Sequence, residues 1–109
     1  MTDKTRNTRL SVHSVKSALR RENEASSLQE LDASFFDDVA LLYSDLQSER
    51  EAVVAASEQP YADSEVLELS DEIDELERTV KRLVNARVSK LIRAASLSAA
   101  GMFDSDVHG

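Results

Sequence analysis

The feature that most constrains this chain is a run of helix-forming residues over 65–100 that contains neither Pro nor Gly. The run is rich in Leu, Glu, Arg and Ala, all of which favour the α-helix. Its apolar residues alternate three and four apart, at Val66, Leu69, Ile73, Leu76, Val80 and Leu83. This spacing predicts one amphipathic helix of roughly 35 residues, about 50 Å long. Because an isolated helix of that length would leave its apolar stripe in water, the rest of the chain is expected to cover it.

Two shorter amphipathic segments precede the long helix. A first helix is predicted from about Ser11 to Glu24, with Ser11 as its N-cap, and it carries a narrow apolar stripe of Leu10, Val12, Val15 and Leu19. A second helix is predicted over about 33–57. Its apolar face is formed by Phe35, Val39, Leu42, Leu46 and Val53.

The connections between these segments predict the fold class. Pro60 lies in a short connection, 58–64, so the second and third helices are expected to be antiparallel neighbours. Strand signals are nearly absent. The sequence therefore predicts an all-α fold, an elongated bundle made of a short N-terminal helix and a long antiparallel hairpin (about 33–57 and 64–100). Gly101 is a natural C-terminal cap, so we expect one helical domain over 1–101 and a short acidic tail over 102–109.

The net charge of −8 is distributed in three blocks. Residues 22–77 hold eighteen acids against one base, whereas the blocks before and after them are basic. A symmetric hairpin about Pro60 would place Asp37, Asp38 and Asp45 alongside the bases of the third helix. So acidic a chain is a poor general binder of nucleic acid, because phosphate neutralisation supplies most non-specific affinity.

The sequence lacks the usual signals of chemistry and of membrane targeting. It has no Cys, which excludes disulfides and thiolate chemistry. His13 and His108 have no His or Cys partner at metal-ligand spacing, and no nucleophile is paired with a base. We therefore expect a protein that is not an enzyme and that uses no cofactor and no metal. No signal peptide and no membrane span is evident, so a cytoplasmic location is expected.

Arg87 is the one charged residue inside the apolar stripe of the long helix, and Lys90 lies at the edge of that stripe. A charge in such a position needs a partner or a route to water. We expect a partner carboxylate from the first or second helix among Glu22, Glu24 and Asp38, and the predicted ion-pairing set is Glu24, Asp38 and Arg87. The alternative is that Arg87 is used at a subunit interface.

Several of these segments together resemble a known family. Arg21-Glu22-Asn23-Glu24 is followed by Leu28-Gln29-Glu30-Leu31-Asp32 and then by a helix that starts Ser34-Phe35-Phe36. The long helix carries Arg87-Val88-Ser89-Lys90-Leu91 and then Ala94-Ala95. In order and spacing these pieces, over roughly 12–101, resemble the helical domain of GINS replication-complex subunits, in the type in which that domain comes first. The acidic, Lys-poor composition points to the archaeal form.

The resemblance implies a function and a set of partners. GINS is a tetrameric, non-catalytic scaffold that binds the MCM helicase and a RecJ-like protein during DNA replication. The resemblance implies that this chain pairs with itself or with a paralogous subunit. It implies no strong direct binding of nucleic acid or of membranes. A linker to a β-rich domain would begin at 102–109. The interface residues expected from the helix patterns and this resemblance are Phe35, Phe36, Val39, Tyr43, Arg87, Lys90 and Leu91.

Two physical arguments accompany the resemblance. A long hairpin with a wide apolar face and little burial of its own is expected to oligomerise, and closed symmetry favours a dimer of dimers. The alternative function is a helical-hairpin or coiled-coil adaptor unrelated to replication, which the seam from Val66 to Leu83 also fits. A simple coiled coil would require neither Phe35-Phe36 nor Arg87. A third possibility is a small nucleic-acid binder that uses Arg78, Arg82 and Arg93.

Overall fold

The computed structural model describes residues 10–108, with side chains for residues 10–101, and every element in that range is helical. In chain order these are α1 (Val12–Glu24), α2 (Phe35–Ala56), a single 3-10 turn (Pro60–Ala62) and α3 (Ser64–His108). The all-α prediction is confirmed. Within this part of the chain, no helix has an apolar stretch long enough to cross a membrane.

Local side-chain hydrogen bonds set where α1 and α3 begin. At the start of α1, the Ser14 backbone N–H donates to the Ser11 hydroxyl (3.2 Å) and the Ser11 N–H donates to the Ser14 hydroxyl (3.3 Å). This reciprocal pair is a capping box, so the predicted N-cap is confirmed. At the start of α3, the Asp63 carboxylate accepts from the backbone N–H of Glu65 at 2.9 Å. Asp63 therefore ends the turn that Pro60 begins.

The helices α2 and α3 form the predicted antiparallel hairpin. The Tyr43 hydroxyl donates to the Glu77 carboxylate at 2.7 Å, and Arg50 Nη1 donates to the Ser70 hydroxyl at 3.2 Å. In each pair the two residues are equally far from Pro60 along the chain, so the hairpin is symmetric about the turn. This is the pairing that the sequence predicts for a chain folded at Pro60.

The helix α1 lies against α3 and runs parallel to it. Lys16 Nζ lies 2.7 Å from a Glu75 carboxylate oxygen, and Arg87 Nη1 lies 2.8 Å from Glu22 Oε1 further along both helices. Both shorter helices pack mainly against α3. The long helix is therefore the central element, with α2 on one side of its apolar stripe and α1 on another.

One apolar core joins the three helices. Leu42 and Leu46 of α2 and Leu76 and Leu83 of α3 are fully buried. The predicted stripes of α2 and α3 supply most of this core and α1 supplies the rest; the full set is Val12, Val15, Ala18, Phe35, Val39, Leu42, Leu46, Leu69, Ile73, Leu76 and Leu83. Each Å² of apolar surface that is buried stabilises a fold by roughly 25 cal/mol. Burial of these residues is therefore the main stabilising contribution to this fold.

The helix α3 extends beyond its predicted end. It continues through Gly101 to His108, and Gly101 has no positive φ, so the prediction of a helix end and a C-cap at Gly101 is wrong. A glycine inside a helix costs only about 1 kcal/mol, and a helix already formed propagates readily. Residues 91–101 are all exposed. We call residues 91–108 of α3 the arm.

Candidate functional site

A cluster of charged and polar groups joins α1 to α3: the buried Glu22 and the half-buried Gln29, Arg87 and Lys90. We call it the charge cluster. The Glu22 side chain is fully buried. Its Oε1 accepts from Arg87 Nη1 at 2.8 Å and from Gln29 Nε2 at 2.9 Å. Its Oε2 accepts from Lys90 Nζ at 2.7 Å and from the Gln29 backbone N–H at 3.4 Å. Four donors therefore saturate one carboxylate.

Lys90 uses all three of its N–H donors within this cluster. Besides Glu22 Oε2, its Nζ donates to the backbone carbonyls of Glu22 (2.6 Å) and Ser27 (2.8 Å). Carbonyls in the last turn of a helix have no partner within the helix and attract cations. Lys90 therefore caps the C-terminal end of α1, while Arg87 holds the connection after α1 through the Gln29 carbonyl at 2.9 Å.

The surroundings of Glu22 keep its carboxyl ionised. Burial raises the pKa of Glu22, but the hydrogen bonds from Lys90, Gln29 and Arg87 together lower that pKa to about 2. A carboxylate with four donors and so low a pKa is a poor proton acceptor at neutral pH. Every buried side-chain N or O atom in the described residues has a hydrogen-bond partner. The charge cluster therefore has a structural role: it holds α1 and the connection after it against α3.

The partner of Arg87 is a carboxylate of the first helix, as predicted, but the predicted ion-pairing set named other residues. Neither Glu24 nor Asp38 pairs with Arg87, so that part of the prediction is wrong; Glu22 does. Glu24 is exposed, and the Asp38 carboxylate accepts from the Ser34 hydroxyl at 3.2 Å. The sequence does contain a signal that Glu22 faces α3, because Glu22 lies seven residues after the buried Val15 and therefore on the same face of α1.

Gln29 is the member of the charge cluster that the sequence did not indicate. It lies in the connection between α1 and α2, where no periodic pattern applies. Its Nε2 also donates to the Ala18 backbone carbonyl at 2.8 Å. It becomes part of the cluster only because the chain turns back over the end of α1, a path that local pattern does not encode.

An apolar surface on one side of the hairpin is left uncovered; we call it the open face. It consists of residues at helical spacing on two helices, Phe36, Ala40 and Tyr43 of α2 and Val80, Val84, Val88 and Leu91 of α3. Between the two helices it forms a groove of about 530 Å³ whose walls also include Val39, Leu76, Glu77 and Lys81. The charged ends of Glu77 and Lys81 lie at its edge.

The open face exposes large apolar side chains in a continuous line. Phe36 is 41% exposed, Val84 39%, Val88 45% and Leu91 56%. Single exposed apolar residues are normal on a protein surface, but an aligned set is typical of an interaction surface. Beyond Leu91, residues 92–101 of the arm are also exposed.

The predicted interface residues divide into three groups. Phe36, Tyr43 and Leu91 belong to the open face. Phe35 and Val39 are buried in the core, and the Phe35 ring meets the Phe36 ring edge to face with centroids 5.1 Å apart. Arg87 and Lys90 are bound within the charge cluster.

The basic half of α3 is only partly neutralised within the chain. Arg87 and Lys90 are paired with Glu22 of α1, and not with the carboxylates of α2 that the hairpin symmetry had indicated. Arg78, Lys81, Arg82 and Arg93 are exposed and form no ion pair within the described residues. In the same part of the chain, no group of three or more His, Asp or Glu side chains is arranged to hold a metal ion.

The chain was compared with protein-family models, with curated proteins and with solved structures, and nothing matches. The features that bear on function are therefore the open face, the charge cluster and the sequence resemblance.

Proposed function

We propose that this chain is a non-catalytic scaffold subunit that packs its open face against another helical surface. The observation that carries the proposal is the line of exposed apolar side chains from Val84 to Leu91, continuous with the groove between α2 and α3. Aligned apolar residues on a helix, beside a groove, are the geometry of helix-in-groove recognition. The charged groups at the rim, Glu77 and Lys81, would orient the partner.

The charge cluster supports the scaffold role by fixing the shape of the surface. It anchors α1 and the connection after it to α3 at Arg87 and Lys90, the same stretch in which Val88 and Leu91 face outward. A rigid surface binds with a smaller loss of conformational freedom than a mobile one. The buried charges therefore hold the position of an interface without taking part in it.

The specific form of the proposal is a subunit of a GINS-like replication scaffold that supports the MCM helicase together with a RecJ-like protein. It rests on the sequence resemblance. Two of the pieces that carry the resemblance, Arg21-Glu22-Asn23-Glu24 and Arg87–Leu91, contact each other through the ion pairs of Glu22. A common packing scheme would account for their occurring together, which supports the resemblance.

The test is recovery of partners by the tagged chain from its native cytoplasm, followed by mass spectrometry. We expect recovery of MCM helicase or of a RecJ-like protein, and loss of both with Val88→Glu. The matched control is Leu41→Glu, since Leu41 is 42% exposed and Val88 45%, but Leu41 lies on α2 away from the open face. Equal recovery by both variants would contradict a role for the open face.

The second candidate is a helical adaptor unrelated to replication. The hairpin itself favours it, because two long helices packed along an apolar seam with spacings of three and four, here from Val66 to Leu83, are typical of coiled coils, and the open face beside that seam stays exposed. The same experiment separates the two candidates. Recovery of other helical proteins that depends on Val88, without MCM or a RecJ-like protein, favours the adaptor.

A further inference from the structure

A strip of basic and hydrogen-bonding side chains runs along the solvent side of α3 in its second half; we call it the basic strip. Its members on α3, Arg78, Arg82, Asn85, Ser89 and Arg93, recur three and four apart and therefore share one face of the helix. All five are exposed. Residues 78–93 include no acid, and the three arginines form no ion pair within the described residues.

The helix α1 adds a further arginine to the edge of the basic strip. Lys16 pairs with Glu75, and Glu22 pairs with Arg87, so the part of α1 between these residues lies beside α3 between the same two levels. Arg20 follows Lys16 by one helical turn and therefore lies on the same flank of α1. It is exposed and forms no ion pair within the described residues. The basic strip thus draws on two helices.

The acids of α2 do not face the basic strip. The helix α2 contacts α3 at Glu77 and Ser70. Arg82 follows Glu77 by five residues, so at about 100° per residue it points well away from the side on which α2 packs. Asp37 and Asp38, which are at the level of Arg82 in the hairpin, therefore lie across α3 from the strip.

The net charge of −8 argues against binding of a polyanion, but it does not describe the charge near the strip. The acids of α3 between its start and the strip end at Glu77, and Arg93 lies about 24 Å further along at 1.5 Å per residue. The Debye length is about 8 Å at physiological salt, so exposed charges at that separation are largely screened from each other. The acidic half of α3 therefore leaves the basic strip effective and repels a polyanion from the rest of the surface.

The chemistry of the basic strip favours phosphate groups. Its cations are all arginines, and a guanidinium binds phosphate through two parallel hydrogen bonds. Asn and Ser side chains also donate to phosphate oxygens. The strip has no apolar side chain that could anchor a protein interface, whose core is usually apolar. It also has no aromatic ring on which an unpaired base could stack.

We propose that the basic strip binds the phosphate backbone of a nucleic-acid duplex without reading the base sequence. This goes beyond the proposed function, which uses a different surface. Val88 of the open face follows Arg82 by six residues and so lies about 120° away from it around the helix. A helical partner on the open face and a duplex on the basic strip can therefore be bound at the same time.

The test is fluorescence anisotropy with a labelled duplex DNA of about 20 base pairs, from about 20 to about 150 mM salt. The logarithm of the affinity should fall with the logarithm of the salt concentration with a slope of about −3, as expected for three or four neutralised phosphates. Arg82→Gln should lower the affinity about 10-fold near 50 mM salt and make the slope shallower by about 1. A native chain that does not bind the duplex at the lowest salt would overturn the proposal.

The matched control is Arg21→Gln, which removes the same charge. Arg21 is exposed and follows Lys16 by five residues, so it lies on another flank of α1, away from the basic strip. Its replacement should change the affinity less than about 2-fold, because distant exposed charges are screened. Circular dichroism checks that both variants remain helical. An equal loss of affinity in the two variants would overturn the assignment of the strip.

Other polyanions test which partner the basic strip takes. A duplex RNA of the same length shows whether the strip distinguishes between the two kinds of duplex, and binding of either one supports the proposal. Two DNA duplexes of unrelated sequence should bind alike, and a clear preference for one would contradict contact with the backbone alone. Tighter binding of a single strand, or of polyglutamate, than of the duplexes would overturn the proposal in favour of that partner.

These outcomes are distinct from failure of the proposed function. Val88→Ser adds no charge and should bind the duplex as the native chain does, while Arg82→Gln should still recover the protein partner. A chain that binds the duplex but recovers no protein supports the basic strip and contradicts the scaffold role. A chain that recovers a partner through Val88 but binds no duplex overturns only the proposal for the strip.

Discussion

Arg87 shows what a single side chain contributes when its charge is buried. Its side chain is 20% exposed, and its guanidinium donates to the Glu22 carboxylate and to the Gln29 carbonyl. Arg87→Ala is expected to lower the free energy of unfolding by about 2–4 kcal/mol, because it removes two charge-assisted hydrogen bonds and leaves polar groups of the cluster without a donor.

The matched control for Arg87 is Arg82→Ala. Arg82 is exposed and lies on the same helix, so its replacement should change the free energy of unfolding by about 0.5 kcal/mol or less. Urea unfolding followed by circular dichroism measures both. Equal small shifts for the two variants would contradict the importance assigned to the charge cluster.

Glu22 makes the stability of the fold depend on pH. Its pKa is lowered from 4.5 to about 2 by its donors, in spite of burial. Between these two values the unfolded chain binds a proton at this residue and the folded chain does not, so acid favours unfolding. We expect the contribution of Glu22, of up to about 3 kcal/mol, to be present above pH 4.5 and to be lost as the pH falls toward 2.

Unfolding curves of the native chain and of Glu22→Gln, measured across this pH range, isolate that contribution. Lys16 also lowers the pKa of the Glu75 carboxyl, and this effect remains in the variant. The variant should therefore show a shallower loss of stability in acid and a lower stability near neutral pH. Parallel curves for the two proteins would exclude Glu22 as the source.

The sequence predicts the helices and their hairpin better than the position of α1. Apolar spacing and Pro60 are sufficient to predict how α2 and α3 pack. The short turn makes the two helices neighbours, and their apolar stripes determine which faces meet. The hydrogen bond from Tyr43 to Glu77 is one contact that results. The helix α1 is joined to α2 by ten irregular residues. Its placement depends on the contact between Glu22 and Arg87, which are 65 residues apart in the sequence. Local sequence patterns do not predict a contact between residues so far apart.

The continuation of α3 through Gly101 is a second feature that the sequence rules did not predict. A Gly after a run of small residues usually ends a helix, yet a Cβ at Gly101 would contact nothing within 4 Å. Gly101→Ala should therefore stabilise the helix here by about 0.8–1 kcal/mol. Cα chemical shifts of residues 95–101 should become more helical. A loss of helical shifts would indicate that Gly101 adopts the left-handed conformation of a cap.

At the scale of the whole molecule, shape distinguishes the ways in which two copies can pair. The single chain measures 74 × 26 × 19 Å. Two copies that bury their open faces side by side would overlap along much of their long helices, so their assembly should be well short of twice the length of one chain. Small-angle scattering should show a wider cross-section with a modest increase in length. A length near twice that of one chain would indicate contact through the arms alone.

The parallel packing of α1 on α3 also determines the order in which the fold assembles. The hairpin contact between Arg50 and Ser70 closes a loop of 20 residues, whereas that between Glu22 and Arg87 closes one of 65. Longer loops lose more entropy on closure, and contacts distant in sequence slow folding. We expect the hairpin to form first and α1 to join last. In native-state hydrogen exchange, the amides of α1 should then open as a separate unit while those of the hairpin remain protected.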